Sequence, residues 1–125
     1  IVWAGDIIEH LFDPIFVLKE VNRVLVPGGL LLATIPYDLK LSNRLRILLG
    51  RSYQESVYRR FRQHKHHTFF SKALLKYMLR EASFNIEEIN FKSKIPLLQK
   101  KFITKYAISL PFSETMIIRA RANKS

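Results

Sequence analysis

The stretch that most constrains this chain is Ile1 to Pro36, which reads as strand, acidic turn, amphipathic helix, Pro-Gly-Gly turn and strand. The apolar run Ile1-Val2-Trp3-Ala4 is cut off by Gly5-Asp6, as at the end of a buried strand. From Asp13-Pro14 onward, apolar residues fall at Ile15, Val17, Leu18, Val21, Val24 and Leu25. That 3-4 spacing predicts a helix of about three turns with one apolar face. Asp13 is placed to cap it, and Pro14 at the first helical position needs no hydrogen-bond partner. Pro27-Gly28-Gly29 then stops the helix, and Leu30 to Ile35 is apolar on both faces, as in a central parallel strand. Two strands joined by a helix make a right-handed βαβ unit, so the fold class is α/β. The polar cluster Asp6, Glu9 and His10 follows the carboxyl end of the first strand, where open α/β sheets bind ligands.

At 125 residues, 48% of them apolar, the chain is one domain at most, with material for a sizeable core. The sequence has no run approaching the roughly 20 apolar residues of a membrane-spanning helix. It contains no cysteine, which excludes a disulfide scaffold or thiolate zinc site and fits a reducing cytoplasm. The net charge of +11 is unevenly spread. Residues 1–36 carry two basic and four acidic side chains, residues 37–72 nine and two, and residues 91–125 eight and one. The excess lies outside the βαβ unit and suits an anionic partner such as RNA, an anionic membrane surface or a phosphorylated substrate. A solvated basic surface accounts for it equally well.

Further along, Ser42 can cap a short helix, Asn43 to Leu49, closed by Gly50. Tyr53, Val57, Tyr58 and Phe61 follow at helical spacing with Arg59, Arg60 and Arg62 among them. Arginines interleaved with aromatics can bind nucleic acid, and an amphipathic helix packed on its own domain has the same pattern. Gln63-His64-Lys65-His66-His67 concentrates three of the four histidines. Ser71 caps a helix, Lys72 to Ala82, whose buried stripe is Leu74, Leu75, Met78, Leu79 and Ala82. Phe84 to Phe91 reads as a strand, Lys94 to Leu110 as a basic amphipathic insertion, and Thr115 to Ala122 as the last strand.

Ala4-Gly5-Asp6-x-x-Glu9-His10-Leu11-x-Asp13-Pro14, followed by Arg23-Val24-Leu25-x-Pro27-Gly28-Gly29, resembles the second half of class I S-adenosylmethionine-dependent methyltransferases. His66-x-x-Phe69-Phe70-Ser71, Leu74-Leu75 and Glu81-Ala82-Ser83-Phe84 resemble a later segment of the same branch, with Ser83 where glycine is usual. The resemblance implies a Rossmann-like fold represented by strands four to seven, with the last strand running antiparallel between strands five and six. Residues 1–125 are then the C-terminal part of a single methyltransferase domain, with basic, helical lid-like insertions at about 37–65 and 94–113. The cofactor-binding half is expected upstream of Ile1, and these residues alone are expected to bind S-adenosylmethionine weakly or not at all.

By the same resemblance, Ala4, Gly5 and Asp6 border the cofactor, and Gly5 lets the backbone approach it. His10 and His66 are the candidate catalytic bases. Asp6, Glu9, His10 and His66 resemble the metal site of small-RNA 2′-O-methyltransferases, an O/N set suited to Mg²⁺ or another divalent ion. The implied activity is methylation of an oxygen on a small or lipid-linked metabolite, in the cytoplasm or at the membrane periphery. A metal-dependent RNA 2′-O-methyltransferase and a non-catalytic basic binding module with the same fold are the alternatives.

Overall fold

The computed structural model describes residues 1–51, 66–95, 100–104 and 113–124. The elements are β1 (Val2–Gly5), a 3-10 turn (Ile8–His10), α1 (Pro14–Val24), β2 (Leu30–Pro36) and α2 (Leu41–Leu48). They continue with α3 (Lys72–Glu81), β3 (Phe84–Ile95), β4 (Lys100–Thr104) and β5 (Ser113–Ala122). The five strands form one sheet in the order β1-β2-β5-β3-β4. β1 and β2 are parallel, with Val2 opposite Leu31 and Gly5 opposite Thr34. β5 runs antiparallel to both β2 and β3 and lies between them. This is the mixed, Rossmann-like α/β sheet that the resemblance implied.

The helices form where the chain supplies their ends. Asp13 Oδ1 accepts the Phe16 N–H at 2.9 Å with Pro14 opening α1, and Ser71 Oγ accepts the Leu74 N–H at 3.1 Å to start α3. Leu18 of α1 and Leu75, Met78 and Leu79 of α3 are buried. They meet Leu31, Ala33 and Ile35 of β2 and Met116, Ile118 and Ala120 of β5 in one core. The alternation in those strands means that both helices cover the same face of the sheet. Leu32 and Thr34, on the other face of β2, are only half-buried, so the strand is apolar on both faces but covered on one.

Turn geometry locks the βαβ unit. Gly28 has φ +70°, and a Cβ on Gly29 would lie 2.8 Å from the Val26 carbonyl oxygen. The Gly28 N–H donates to Ala122 O and the Ala122 N–H to Gly29 O, which fastens the turn to the end of β5. Ser83 takes the left-handed conformation (φ 58°), and its carbonyl accepts from Asn22 Nδ2 and the Asn123 N–H, both at 2.8 Å.

Three local expectations change. α2 begins at Leu41, so Ser42 lies inside the helix, and the residue at the cap, Lys40, makes no side-chain capping bond. β3 runs on to Ile95, and Lys100–Thr104 pairs with it as β4, where the sequence had suggested a basic amphipathic insertion. The alternation Phe91-Lys92-Ser93-Lys94-Ile95 has period two and favours a ribbon over a helix. The segment Tyr53 to Phe61 and His64 lie outside the described residues.

Candidate functional site

The site begins where β1 ends. The chain turns at Asp6, which takes a left-handed conformation (φ 49°) that a short polar side chain tolerates. The Asp6 N–H donates to Thr34 O at 3.0 Å, and Asp6 Oδ1 accepts from Thr34 Oγ1 at 3.1 Å. Both bonds fix the turn to β2. The 3-10 turn follows, and burial of Ile8 in the core carries Glu9 inward beside it.

Glu9 is 1% exposed. Its carbonyl oxygen accepts the N–H groups of His67 at 2.8 Å and Thr68 at 3.2 Å. Those bonds bring the distant 66–70 stretch against the 3-10 turn. The rings of His10 and His66 then meet edge-on, 4.8 Å between centroids at 79°. Phe12 stacks on His67 beside them, 4.2 Å between centroids. Glu9 Oε1 stands 3.9 Å from His10 Nε2, too far for a hydrogen bond but close enough for attraction to an imidazolium. Glu9 Oε2 is buried and has no hydrogen-bond partner among the described residues. Burial pushes the Glu9 carboxyl above the usual carboxylate range, and the charges of Asp6 and Asp38 push the same way. A backbone hydrogen bond and His10 oppose the shift.

One residue that the sequence reading did not single out holds the other side. Asp38, just past β2, is 6% exposed. Asp38 Oδ2 accepts the Phe70 N–H at 2.8 Å, and the Asp38 N–H donates to Phe70 O at 3.2 Å. Asn43 Nδ2 donates to the Asp38 carbonyl at 2.7 Å. The 66–70 stretch is thus pinned at one end by Glu9 and at the other by Asp38. The only signal in the sequence was an acidic residue straight after a buried strand.

Of the residues singled out from the sequence, Glu9, His10 and His66 come together, with one ligand-type atom from each within 4.8 Å of the others. Asp6 stands outside that group, with one carboxylate oxygen engaged by Thr34. Ala4 packs its side chain against the core and offers a ligand only its backbone. A Cβ on Gly5 would lie 3.0 Å from Trp3 Nε1, so this glycine makes room for the Trp3 indole, which is itself 62% exposed. Among the described residues, no helix is long and apolar enough to cross a membrane.

No family model and no curated protein sequence matches the chain. Solved structures do. A SAM-dependent methyltransferase from Thermotoga maritima superposes with a TM-score of 0.65 at 22% identity, over 97% of this chain and 54% of its own. A methyltransferase of the same description from Mesorhizobium loti gives 0.64 at 13% identity, over 95% and 59%. One from Methanosarcina mazei gives 0.57 at 16% identity, over 98% and 58%. The chain has the fold of SAM-dependent methyltransferases and spans little more than half the length of these three.

Proposed function

We propose that the chain is part of an S-adenosylmethionine-dependent methyltransferase that methylates an oxygen on a small or lipid-linked metabolite. The observation that carries this reading is the pair of imidazoles, His10 and His66, placed edge to edge beside the carboxyl end of β1. When bound, S-adenosylmethionine supplies an electrophilic methyl group. The residues at hand suit a share of its site. Ala4 and Gly5 offer backbone, Asp6 an exposed carboxylate, and Trp3 an exposed indole across Gly5 on which an aromatic ring can rest.

Attack on a methyl group needs the acceptor oxygen held in line at about 3 Å, so positioning supplies much of the rate. A neutral imidazole at His10 or His66 can take the hydroxyl proton as the oxygen becomes nucleophilic, and general-base help of this kind is worth about 10²–10⁴ in rate. The test is methyl transfer by the whole protein against a panel of hydroxylated acceptors. His10→Ala and His66→Ala should lower kcat within that range while leaving S-adenosylhomocysteine affinity unchanged. A variant pair with undiminished kcat would remove both histidines from the chemistry.

Glu9 Oε2, buried and without a hydrogen-bond partner among the described residues, favours a second reading, in which Glu9, His10 and His66 hold a divalent ion such as Mg²⁺. Two imidazole nitrogens and one carboxylate suit Mn²⁺ better than Mg²⁺, which takes oxygen ligands, and the ion would stabilise charge on the acceptor oxygen. Asp6 contributes nothing to that set. This reading brings RNA 2′-hydroxyls into the acceptor class. A thermal shift on adding Mn²⁺ that disappears in Glu9→Gln would support it, and identical shifts in both proteins would end it.

A further inference from the structure

α2 is amphipathic in the opposite sense to a core helix. Its polar Asn43 is the buried residue, 3% exposed, while Leu41, Leu45, Leu48 and Leu49 are exposed by 42, 50, 81 and 76%. At 100° per residue these four leucines fall on one side of the helix and Asn43 on the opposite side. Ile47, near the helix end, is 56% exposed. The bond from Asn43 Nδ2 to the Asp38 carbonyl holds the helix in this orientation, so the leucines stay outward.

The charged residues around that apolar face are all cationic. Arg44 and Arg46 flank it on either side of the helix, Lys40 and Arg51 lie just beyond the helix ends, and the sequence has no acidic residue from Leu39 to Gln54. Among the described residues, no carboxylate lies within ion-pair distance of any of the four. An exposed row of leucines costs free energy in water, and an unpaired cationic rim discriminates between the surfaces that could cover it. A second copy of this chain would bring its own cations to the contact. An anionic bilayer offers acyl chains to the leucines and phosphates to the rim.

We propose that α2 is an interfacial helix that docks this protein on an anionic lipid surface, with Leu45, Leu48 and Leu49 entering the headgroup–acyl boundary. This rests on α2 alone and holds whatever reaction the site performs. It also ties the helix to that site through one residue, since Asp38 bonds to Asn43 of α2 and pins the stretch carrying His66.

The test is co-sedimentation of the whole protein with vesicles of phosphatidylcholine, with and without about 30 mol % phosphatidylglycerol. Binding should need the anionic lipid. Leu48→Ser/Leu49→Ser should weaken it by about tenfold or more, with no loss of folding, since both side chains lie outside the core. Arg44→Gln/Arg46→Gln/Arg51→Gln should abolish the preference for anionic vesicles. Three results would overturn the proposal. They are no binding to either vesicle, anionic binding that the leucine changes leave intact (adsorption by net charge alone), and a vesicle-indifferent dimer that the leucine changes dissolve.

Discussion

Asp38 and Phe70 bond to each other twice, with Oδ2 of Asp38 accepting the Phe70 N–H at 2.8 Å and the Asp38 N–H donating to Phe70 O at 3.2 Å. This pair closes the stretch 66–70 onto the end of β2, as the Glu9 carbonyl closes it onto the 3-10 turn. His66 meets His10 because both clamps hold. Asp38→Ala leaves a buried N–H without its acceptor, and urea denaturation should show a loss of about 1–3 kcal/mol. Asp38→Asn keeps the size and the acceptor oxygen and should recover part of it. Equal stability of Asp38→Ala and the parent would mean that the clamp is ornamental.

The core makes a simpler prediction. Phe70 and Leu79 are each 1% exposed and join α3 to the sheet and to the clamped stretch. Phe70→Ala should cost about 3–5 kcal/mol and Leu79→Ala about 2–5 kcal/mol, both read from denaturant midpoints at unchanged m.

Ser83 holds a left-handed conformation that costs an ordinary L-residue about 1–2 kcal/mol, whereas glycine adopts it freely. Glycine also loses more chain entropy on folding, about 0.4–1 kcal/mol. Ser83→Gly should therefore raise stability by roughly 0.5–1 kcal/mol net. The bonds from Asn22 and Asn123 reach the Ser83 carbonyl and survive the change. A lower melting temperature for Ser83→Gly would show that the serine hydroxyl contributes more than the strain costs.

One pH dependence of the fold takes its sign from the burial of Glu9. Its carboxyl is raised in the folded state, mainly by burial, so the native protein keeps a proton that the unfolded chain releases near 4.5. The contribution of Glu9 to stability is therefore greatest below that value and is lost as pH rises through the raised native pKa, after which the loss is constant. Glu9→Gln should remove this fall, so the stability difference between variant and parent should grow with pH and then level off. The check is a series of melting curves across the acidic range. A difference independent of pH would mean that Glu9 ionises as readily in the folded protein as outside it. Glu87, hydrogen-bonded by Arg121 and bridged by Arg119, has the opposite sign, since its lowered carboxyl supports the fold only while ionised.

The parts of this molecule legible in the sequence are those that local chemistry dictates. Asp13 before Pro14, Ser71 before an apolar stripe, and Pro27-Gly28-Gly29 before an apolar run each specify an element boundary without help from distant residues. The grouping of Glu9 and His10 with His66 came from the motif resemblance, because no local rule relates two histidines so far apart. The structure supplies the physical cause, which is the Glu9 carbonyl and the Asp38 carboxylate acting on the same stretch. Gly5 was legible as a special position, and the structure adds that the space it leaves is taken by Trp3, a neighbour two residues away on the same face of β1. The orientation of α2 was not legible, because spacing places its leucines on one side of the helix without saying which side meets the sheet; Asn43, bonded to the Asp38 carbonyl, is the buried residue and the leucines are exposed.

Methyl transfer requires a cofactor before it requires an acceptor, so the most direct measurement is calorimetric titration of S-adenosylhomocysteine into the whole protein. The expected result is saturable binding that His10→Ala and His66→Ala leave unchanged, which would assign the two imidazoles to the acceptor side. Absence of binding by a protein that melts cooperatively would contradict the methyltransferase reading and leave only the fold.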